Sequence, residues 1–109
     1  MEFNEYQEKA WGTAIYPDRG KNIIYPALWI GGESGEILNK IKKISRDEKN
    51  ILNSEKKAEL IKELGDLLWY IAALATELKI NMNDIAEKNI VNLGERKNKG
   101  TLHGSGDNR

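Results

Sequence analysis

The sequence lacks the side chains on which many enzymes and metal sites depend. Among its 109 residues there is no cysteine, and His103 is the single histidine. The absence of cysteine excludes disulfides, thiolate nucleophiles and cysteine-bound zinc, and one histidine argues against a histidine-built metal site. Lysine plus arginine and aspartate plus glutamate number 17 each, so the chain lacks the basic field of a non-specific nucleic-acid binder. Any chemistry is therefore expected to use carboxylates, without a nucleic-acid partner.

Long apolar runs and a signal-like N-terminus are also missing. No run approaches the roughly 18 apolar residues of a transmembrane helix. The first five residues carry two glutamates and no basic residue, unlike a secretory signal. With 39% hydrophobic and 31% charged residues, the chain is too apolar for disorder and too polar for a membrane protein. We therefore expect a cytoplasmic domain with no membrane partner.

Proline is scarce as well, and the apolar spacing predicts an all-α chain. Pro17 and Pro26 are the two prolines, and Pro26 suits the first turn of a helix. No strand pattern is present, whereas four segments repeat apolar residues with the helical period. The expected helices cover about residues 3–13, 26–44, 54–78 and 83–97.

The helix caps are predicted from residue type at the helix starts, and the inward faces from the apolar spacing. Ser54 is expected to cap the third helix, and Asn81 or Asn83 the fourth. Residues 1–99 would form one domain, and residues 100–109, with three glycines and no periodicity, a loop or tail. The positions expected to face inward are Phe3, Tyr6, Ala10, Ile15, Ile30, Ile37, Leu38, Ile41, Ile44, Leu60, Leu64, Leu67, Ile71, Leu74, Leu78, Ile85, Ala86, Ile90 and Leu93.

One short acidic motif occurs twice, thirty positions apart. Glu33 and Glu36 correspond to Glu63 and Asp66, and in each copy a glycine directly precedes the second acid. Acids three apart are neighbours on a helix, so antiparallel packing of the two helices would let the two pairs face each other. Four carboxylates would repel strongly unless cations neutralise them, and oxygen ligands without histidine or cysteine select Mg²⁺ or Mn²⁺.

The alternative is that these acids are solvated helix residues, with Glu36 and Lys40 forming an ordinary ion pair. Glycine in a helix interior costs about 1 kcal/mol relative to alanine, so Gly35 and Gly65 favour a close helix approach beside the acids. Lys40 and Lys43 lie on the same side of their helix as the acids, an arrangement suited to a polyphosphate. Solvation and helix-dipole complementation remain the other explanation for these lysines.

The acidic motifs and their surroundings resemble the MazG-like all-α nucleoside triphosphate pyrophosphohydrolases, in particular a small phage and bacterial branch. The resemblance spans nearly the whole chain. The segments that carry it are Asn4-Glu5-Tyr6-Gln7, Thr13-Ala14, Gly32-Glu33-Ser34-Gly35-Glu36, Lys42-Lys43, Glu63-Leu64-Gly65-Asp66-Leu67-Leu68-Trp69-Tyr70 and Gly100-Thr101-Leu102-His103-Gly104-Ser105-Gly106-Asp107.

This resemblance implies a four-helix bundle-like fold that hydrolyses a nucleoside triphosphate to the monophosphate and pyrophosphate. It implies Mg²⁺, or Mn²⁺, held by Glu33, Glu36, Glu63 and Asp66. A carboxylate would help to remove the proton of the attacking water, and Glu33 or Glu36 is the expected catalytic residue. A phage-encoded member would act in the host cytoplasm.

Further substrate contacts are implied at Asn89, Arg96 and His103, beside the lysines already named. The family often has a further acid where this chain has Gly32, and a lysine where it has Asn92. Family members assemble from paired bundles, so a homodimer or homotetramer is expected, with sites that can borrow residues across chains.

Two further matters stay open at this level. The rings of Trp29, Trp69 and Tyr70 suit either a base pocket or a core and interface. A deoxyuridine-type triphosphatase of the same superfamily is an alternative function, as is a catalytically silent module that binds nucleotide or metal. A plain dimerisation module is the third alternative, although it has no need of two matched acid pairs.

Overall fold

The computed structural model describes residues 1–100, which form four α-helices and no strand. The all-α prediction is thereby confirmed, while the segment 101–109, including His103, lies outside the described residues. The helices are α1 Phe3–Trp11, α2 Ile24–Asp47, α3 Ser54–Glu77 and α4 Met82–Asn98.

Asparagine side chains cap the last two helices. The Oδ1 atom of Asn53 accepts a hydrogen bond from the Lys56 N–H at 2.8 Å, so the cap of α3 lies one residue before the predicted Ser54. Asn81 caps α4 and its Oδ1 accepts from the Asp84 N–H at 2.9 Å. Pro26 lies in the first turn of α2, where its missing N–H costs no helical hydrogen bond.

Alanines of α3 form the centre of the core. Ala72, Ala73 and Ala75 are 1–3% exposed and pack against residues from α1, the following loop and α4. Because helix separation depends on the side chains at the contact, methyl groups here allow a close approach. The central helix is therefore α3, with α1 and α2 beside it and α4 packed mainly on α1.

Several predicted inward positions are wrong. Ile15 is 94% exposed because α1 ends at Trp11, which leaves Ile15 in the α1–α2 loop (residues 12–23). Leu38 is 69% exposed because α2 packs mainly on α3 and Leu38 lies outside that contact. The other predicted inward residues found exposed are Phe3, Ile41, Leu64, Leu78, Ile85 and Ile90.

The α2 and α3 helices form an antiparallel hairpin. The Nζ atom of Lys40 lies 3.9 Å from carboxylate oxygens of both Glu59 and Glu63, and nearer the turn Lys56 lies 4.0 Å from Glu48. As residue numbers rise along α2 they fall along α3, so the two acidic motifs lie at the same level of the hairpin.

Candidate metal centre

Three of the four motif acids converge between α2 and α3. One carboxylate oxygen from each of Glu33, Glu63 and Asp66 lies within 4.8 Å of the other two. We call these residues the three-acid group. Glu33 and Glu63 are half-buried and Asp66 is exposed, so the group opens to solvent on one side.

The fourth acid, Glu36, stands apart. It lies one turn beyond Glu33 on α2, is exposed, and falls outside the three-acid group. Its negative charge nevertheless acts on Glu33, whose pKa it helps to raise. The structure thus separates one motif carboxylate from the three that converge.

The protonation of Glu33 reflects this crowding. Burial raises the pKa of its carboxyl above the ordinary value, and a hydrogen bond with Glu63 and the charges of Asp66, Glu63 and Glu36 raise it further. Each of these effects disfavours the negative form of Glu33. A cation placed among these carboxylates would reverse that preference.

Lys40 pairs with acids of α3, whereas Glu36 of its own helix is the partner expected if the motif acids were ordinary solvated residues. Its ammonium group lies 3.9 Å from Glu63 and 3.9 Å from Glu59, and both partners belong to α3 rather than to its own helix. Lys43 is exposed, and its charge acts on Asp47 near the end of α2. Only Lys40 of the two thus contacts the three-acid group.

The glycines of the motifs do not mark a close helix approach, and that prediction is wrong. A Cβ atom added at Gly35 or Gly65 would meet no atom within 4 Å. At Gly32 an added Cβ would instead lie 3.1 Å from Cε3 of Trp29. The indole of Trp29 therefore covers the position where the resemblance expects a further acid.

A cavity of about 400 Å³ opens beside the three-acid group. Its lining consists of Thr13, Glu33, Asp66, Trp69 and Tyr70, and we call it the acid cavity. It combines two carboxylates with two aromatic rings, so charged and flat groups of one ligand can be held side by side.

A second cavity of about 400 Å³, the aromatic cavity, adjoins the first. The two share Thr13, Trp69 and Tyr70. The indole N–H of Trp69 donates to the Thr13 hydroxyl at 2.7 Å, which holds the shared wall in place. The residues that line the aromatic cavity are Thr13, Ile15, Tyr16, Pro17, Tyr25, Trp69 and Tyr70.

Ring stacking joins these wall residues to one another and to Trp29. Tyr16 and Tyr25 stack with ring centroids 4.7 Å apart, and Trp29 stacks on Tyr70 at 6.2 Å while remaining 45% exposed. Sequence reasoning missed Thr13, Tyr16 and Tyr25 as cavity walls. The Tyr16-Pro17 pair signals a turn, but nothing local indicates that the turn packs beside α3.

Two predicted substrate residues lie on α4 rather than on the α2–α3 hairpin. Asn89 lines a separate, mostly apolar cavity of about 310 Å³ together with residues of α1 and α3, such as Phe3 and Ile71. Arg96 is half-buried in the last turn of α4. Within one chain, Asn89 therefore lies in a different cavity from the three-acid group.

The site can be compared with known proteins. Gene 37 protein of Mycobacterium phage L5 is 40% identical to this chain, and the alignment covers the whole of both proteins. The uncharacterized protein YvdC of Bacillus subtilis (strain 168) is 31% identical over 79% of this chain and 89% of its own length. No solved structure matches the chain.

Among the helices described, none is long and apolar enough to cross a membrane. The family model of the MazG nucleotide pyrophosphohydrolase domain matches residues 26–101, a range that contains both acidic motifs, all of α3 and α4, and α2 except for its first two residues. The chain therefore belongs to the MazG nucleotide pyrophosphohydrolase family.

Proposed function

We propose that the protein hydrolyses a nucleoside or deoxynucleoside triphosphate to the monophosphate and pyrophosphate, with Mg²⁺ or Mn²⁺ as cofactor. The observation that carries the proposal is the three-acid group, which lies next to a cavity walled by aromatic rings. The family assignment supports nucleotide pyrophosphohydrolase activity in general.

The donor set of the three-acid group suits a hard divalent cation. Glu33, Glu63 and Asp66 offer only oxygen ligands, as Mg²⁺ and Mn²⁺ prefer, and their mutual repulsion would be relieved by positive charge. The metal would supply neutralisation of the triphosphate and polarisation of the reacting phosphate. Lys40, now beside Glu63, would be free to contact a phosphate oxygen once a cation balances that acid.

Hydrolysis adds one water across the bond between the α- and β-phosphates. The water oxygen bonds to the α-phosphorus, the bridging oxygen leaves with pyrophosphate, and a carboxylate takes the water proton. We propose Glu36 for this last role because it is exposed and outside the three-acid group. Glu33 is the alternative.

The nucleoside is proposed to occupy the aromatic cavity. Trp69 and Tyr70 wall both cavities, so a ring held there can remain attached to phosphates in the acid cavity. Stacking of a base on an aromatic side chain contributes about 1–3 kcal/mol. Lys43 is proposed to contact phosphate, and His103, outside the described residues, to lie near the nucleotide.

A homodimer or homotetramer is proposed as the working assembly. The chain exposes 8160 Å² and has a radius of gyration of 16.7 Å. A compact monomer of this mass would expose about 6,100 Å² and have a radius of gyration of about 13 Å. A second copy packed on the bare apolar residues would reduce this exposure, and Asn89 and Arg96 would act in a partner's site.

The main test is hydrolysis of a panel of nucleoside triphosphates, dUTP included, with Mg²⁺ or Mn²⁺. We expect pyrophosphate rather than orthophosphate as the product. Glu63→Gln and Asp66→Asn should each lower kcat about 100-fold or more and abolish stabilisation by metal, which at 100 times its Kd is about 2.7 kcal/mol for one site. Glu59→Gln is the matched control, since Glu59 also pairs with Lys40 but lies outside the three-acid group.

The same panel separates the alternative functions. Turnover of dUTP alone would identify a deoxyuridine-type enzyme. Nucleotide or metal binding without any turnover would identify a silent binding module and contradict the proposal. Near-normal activity of Asp66→Asn would show that the three-acid group does not hold the metal.

Glu36 needs a separate experiment because it can act as a base or as a metal ligand. If it takes the proton, Glu36→Gln lowers kcat and leaves the Kd for Mn²⁺ unchanged. If it binds metal, the same change raises the Kd. Glu33→Gln should raise the Kd in either case.

A further inference from the structure

A buried carboxylate, Glu77, lies far from the three-acid group. Glu77 is 8% exposed and ends α3, eleven residues after Asp66. Eleven helical residues span about 16 Å, so Glu77 takes no part in the metal centre. It is the only acid among the buried residues of the described chain, and burial of a charge needs partners.

Three donors from the α1–α2 loop converge on this carboxylate. Oε2 of Glu77 accepts hydrogen bonds from the Tyr16 hydroxyl and from the Gly20 N–H at 2.9 Å. Oε1 accepts from the Asn22 N–H at 3.0 Å. One side chain of α3 thus holds three separate points of a loop that has no regular secondary structure of its own.

The hydrogen bonds continue from the loop to the start of α2. Nδ2 of Asn22 donates to the Pro17 carbonyl at 2.8 Å, and Oδ1 of Asn22 accepts from the Tyr25 N–H at 3.1 Å. Tyr25 in turn stacks on Tyr16. Three walls of the aromatic cavity, Tyr16, Pro17 and Tyr25, are therefore tied to Glu77 directly or through Asn22.

We infer that Glu77 is a positioning residue for the nucleoside end of the substrate. It acts by holding in place the α1–α2 loop residues that line the aromatic cavity. The inference rests on the proposed function, because it takes the aromatic cavity as the nucleoside subsite. The phosphate end is expected to be unaffected, since Tyr16, Pro17 and Tyr25 line the aromatic cavity but not the acid cavity.

A carboxylate is required here because it accepts hydrogen bonds and donates none. In Glu77→Gln, an amide NH₂ at the Oε2 position would face the Gly20 N–H, and one at the Oε1 position would face the Asn22 N–H. Either orientation sets two donors against each other. The side chain keeps its volume, so the variant changes the loop attachment and little else.

The test measures the nucleoside and phosphate ends separately. For Glu77→Gln we expect the KM for the best nucleoside triphosphate to rise about tenfold, and the Ki of inorganic triphosphate as a competitive inhibitor to stay within about twofold. The temperature shift caused by Mg²⁺ should also be unchanged. Glu87→Gln, an exposed acid of α4, is the control and should alter none of these values.

A variant that keeps the ring of Tyr16 provides a second measurement if Glu77→Gln does not fold. Tyr16→Phe loses one hydrogen bond to Glu77 and should raise the same KM about threefold, again with an unchanged Ki. An unchanged KM, or an equal rise of KM and Ki, would overturn the inference. Wild-type protein that releases no pyrophosphate would overturn the proposed function as well, so the two failures are distinguishable.

Discussion

Glu33 and Glu77 are two acids whose surroundings shift their pKa values in opposite directions. Burial and neighbouring acids raise the pKa of Glu33. Burial would also raise the pKa of Glu77, but hydrogen bonds from Tyr16, Asn22 and Gly20 and the positive charge of Arg19 together outweigh it, so that pKa lies below the ordinary value. One carboxylate is therefore destabilising without a cation, whereas the other is stabilised by the protein's own donors.

We predict that Glu33→Gln raises the melting temperature of the metal-free protein at pH 7. Between its ordinary value of 4.5 and its raised pKa, Glu33 binds more protons in the folded state, so metal-free stability falls as pH rises through that window. The variant lacks this loss. Thermal unfolding in chelator at stepped pH is the measurement, with Glu87→Gln as control.

The opposite sign applies to Glu77. Its lowered pKa gives stability that is fully present above the ordinary value and is lost as the pH falls towards the folded-state pKa. Glu77→Gln should thus lower the melting temperature at pH 7, in contrast to Glu33→Gln. Shifts of the same sign in both variants would contradict the assigned environments.

At the scale of helices, α3 ends in a Schellman motif, in which the residue with left-handed backbone after the helix end is usually glycine. The Ile80 N–H donates to the Ala75 carbonyl at 3.0 Å, and the Lys79 N–H donates to the Thr76 carbonyl at 3.0 Å. Lys79 has a φ of 60°, in the left-handed region. A side chain there costs free energy that glycine would not.

Lys79→Gly is accordingly expected to stabilise the folded protein by about 1 kcal/mol. The measurement is the free energy of unfolding from denaturant titration. Lys62→Gly, in the exposed interior of α3, is the matched change and should destabilise by about 1 kcal/mol. A destabilising Lys79→Gly would show that the lysine side chain contributes more than its strained backbone costs.

Helix existence could be predicted from the sequence because apolar period and caps are local signals. All four helices were expected, although Asn53 rather than Ser54 caps α3. The element that packs against a helix face is not a local property of the sequence. The spacing shows that the stripe containing Leu38 is apolar, but it does not show which helix or which chain covers that stripe. The donors that meet at Glu77 lie 55–61 residues earlier in the sequence, so no local pattern predicts them. Whether Glu36 joins the other three acids depends on how α2 is rotated about its axis relative to α3, which the sequence does not define.

For the whole molecule, α1 and α2 both pack on α3, and many apolar side chains of the α2–α3 hairpin remain exposed to solvent. The residues exposed on the hairpin include Leu28, Leu38, Ile61 and Leu64. Several large apolar side chains exposed on one hairpin are typical of a protein–protein contact.

Sedimentation should therefore give a mass of two or four times the 12.4 kDa chain. Leu38→Lys should reduce that mass by placing a charge in the contact, while helical content by circular dichroism is kept. A wild-type protein that is monomeric and fully active would contradict the proposed assembly.

Residues 101–109 carry a further prediction for the whole chain. Their glycines, Ser105 and His103 are suited to a polyphosphate or ribose, and Leu102 is the only large apolar residue among them. Removal of this segment should leave the melting temperature nearly unchanged and lower kcat/KM about tenfold, or about 1.4 kcal/mol. Unaltered kinetics would show that the segment does not contribute to the site.

The three-acid group lies entirely on the α2–α3 hairpin, and this has a consequence for hydrogen exchange. Amides exchange through local openings, and a ligand slows those openings that break its site. Bound cation should therefore protect amides of α2 and α3 strongly, whereas α4, which packs mainly on α1, can open without separating the acids. The hairpin would then open as one cooperative unit whose opening rate falls when metal binds. The α4 helix would open as a separate unit, at a rate that does not depend on metal.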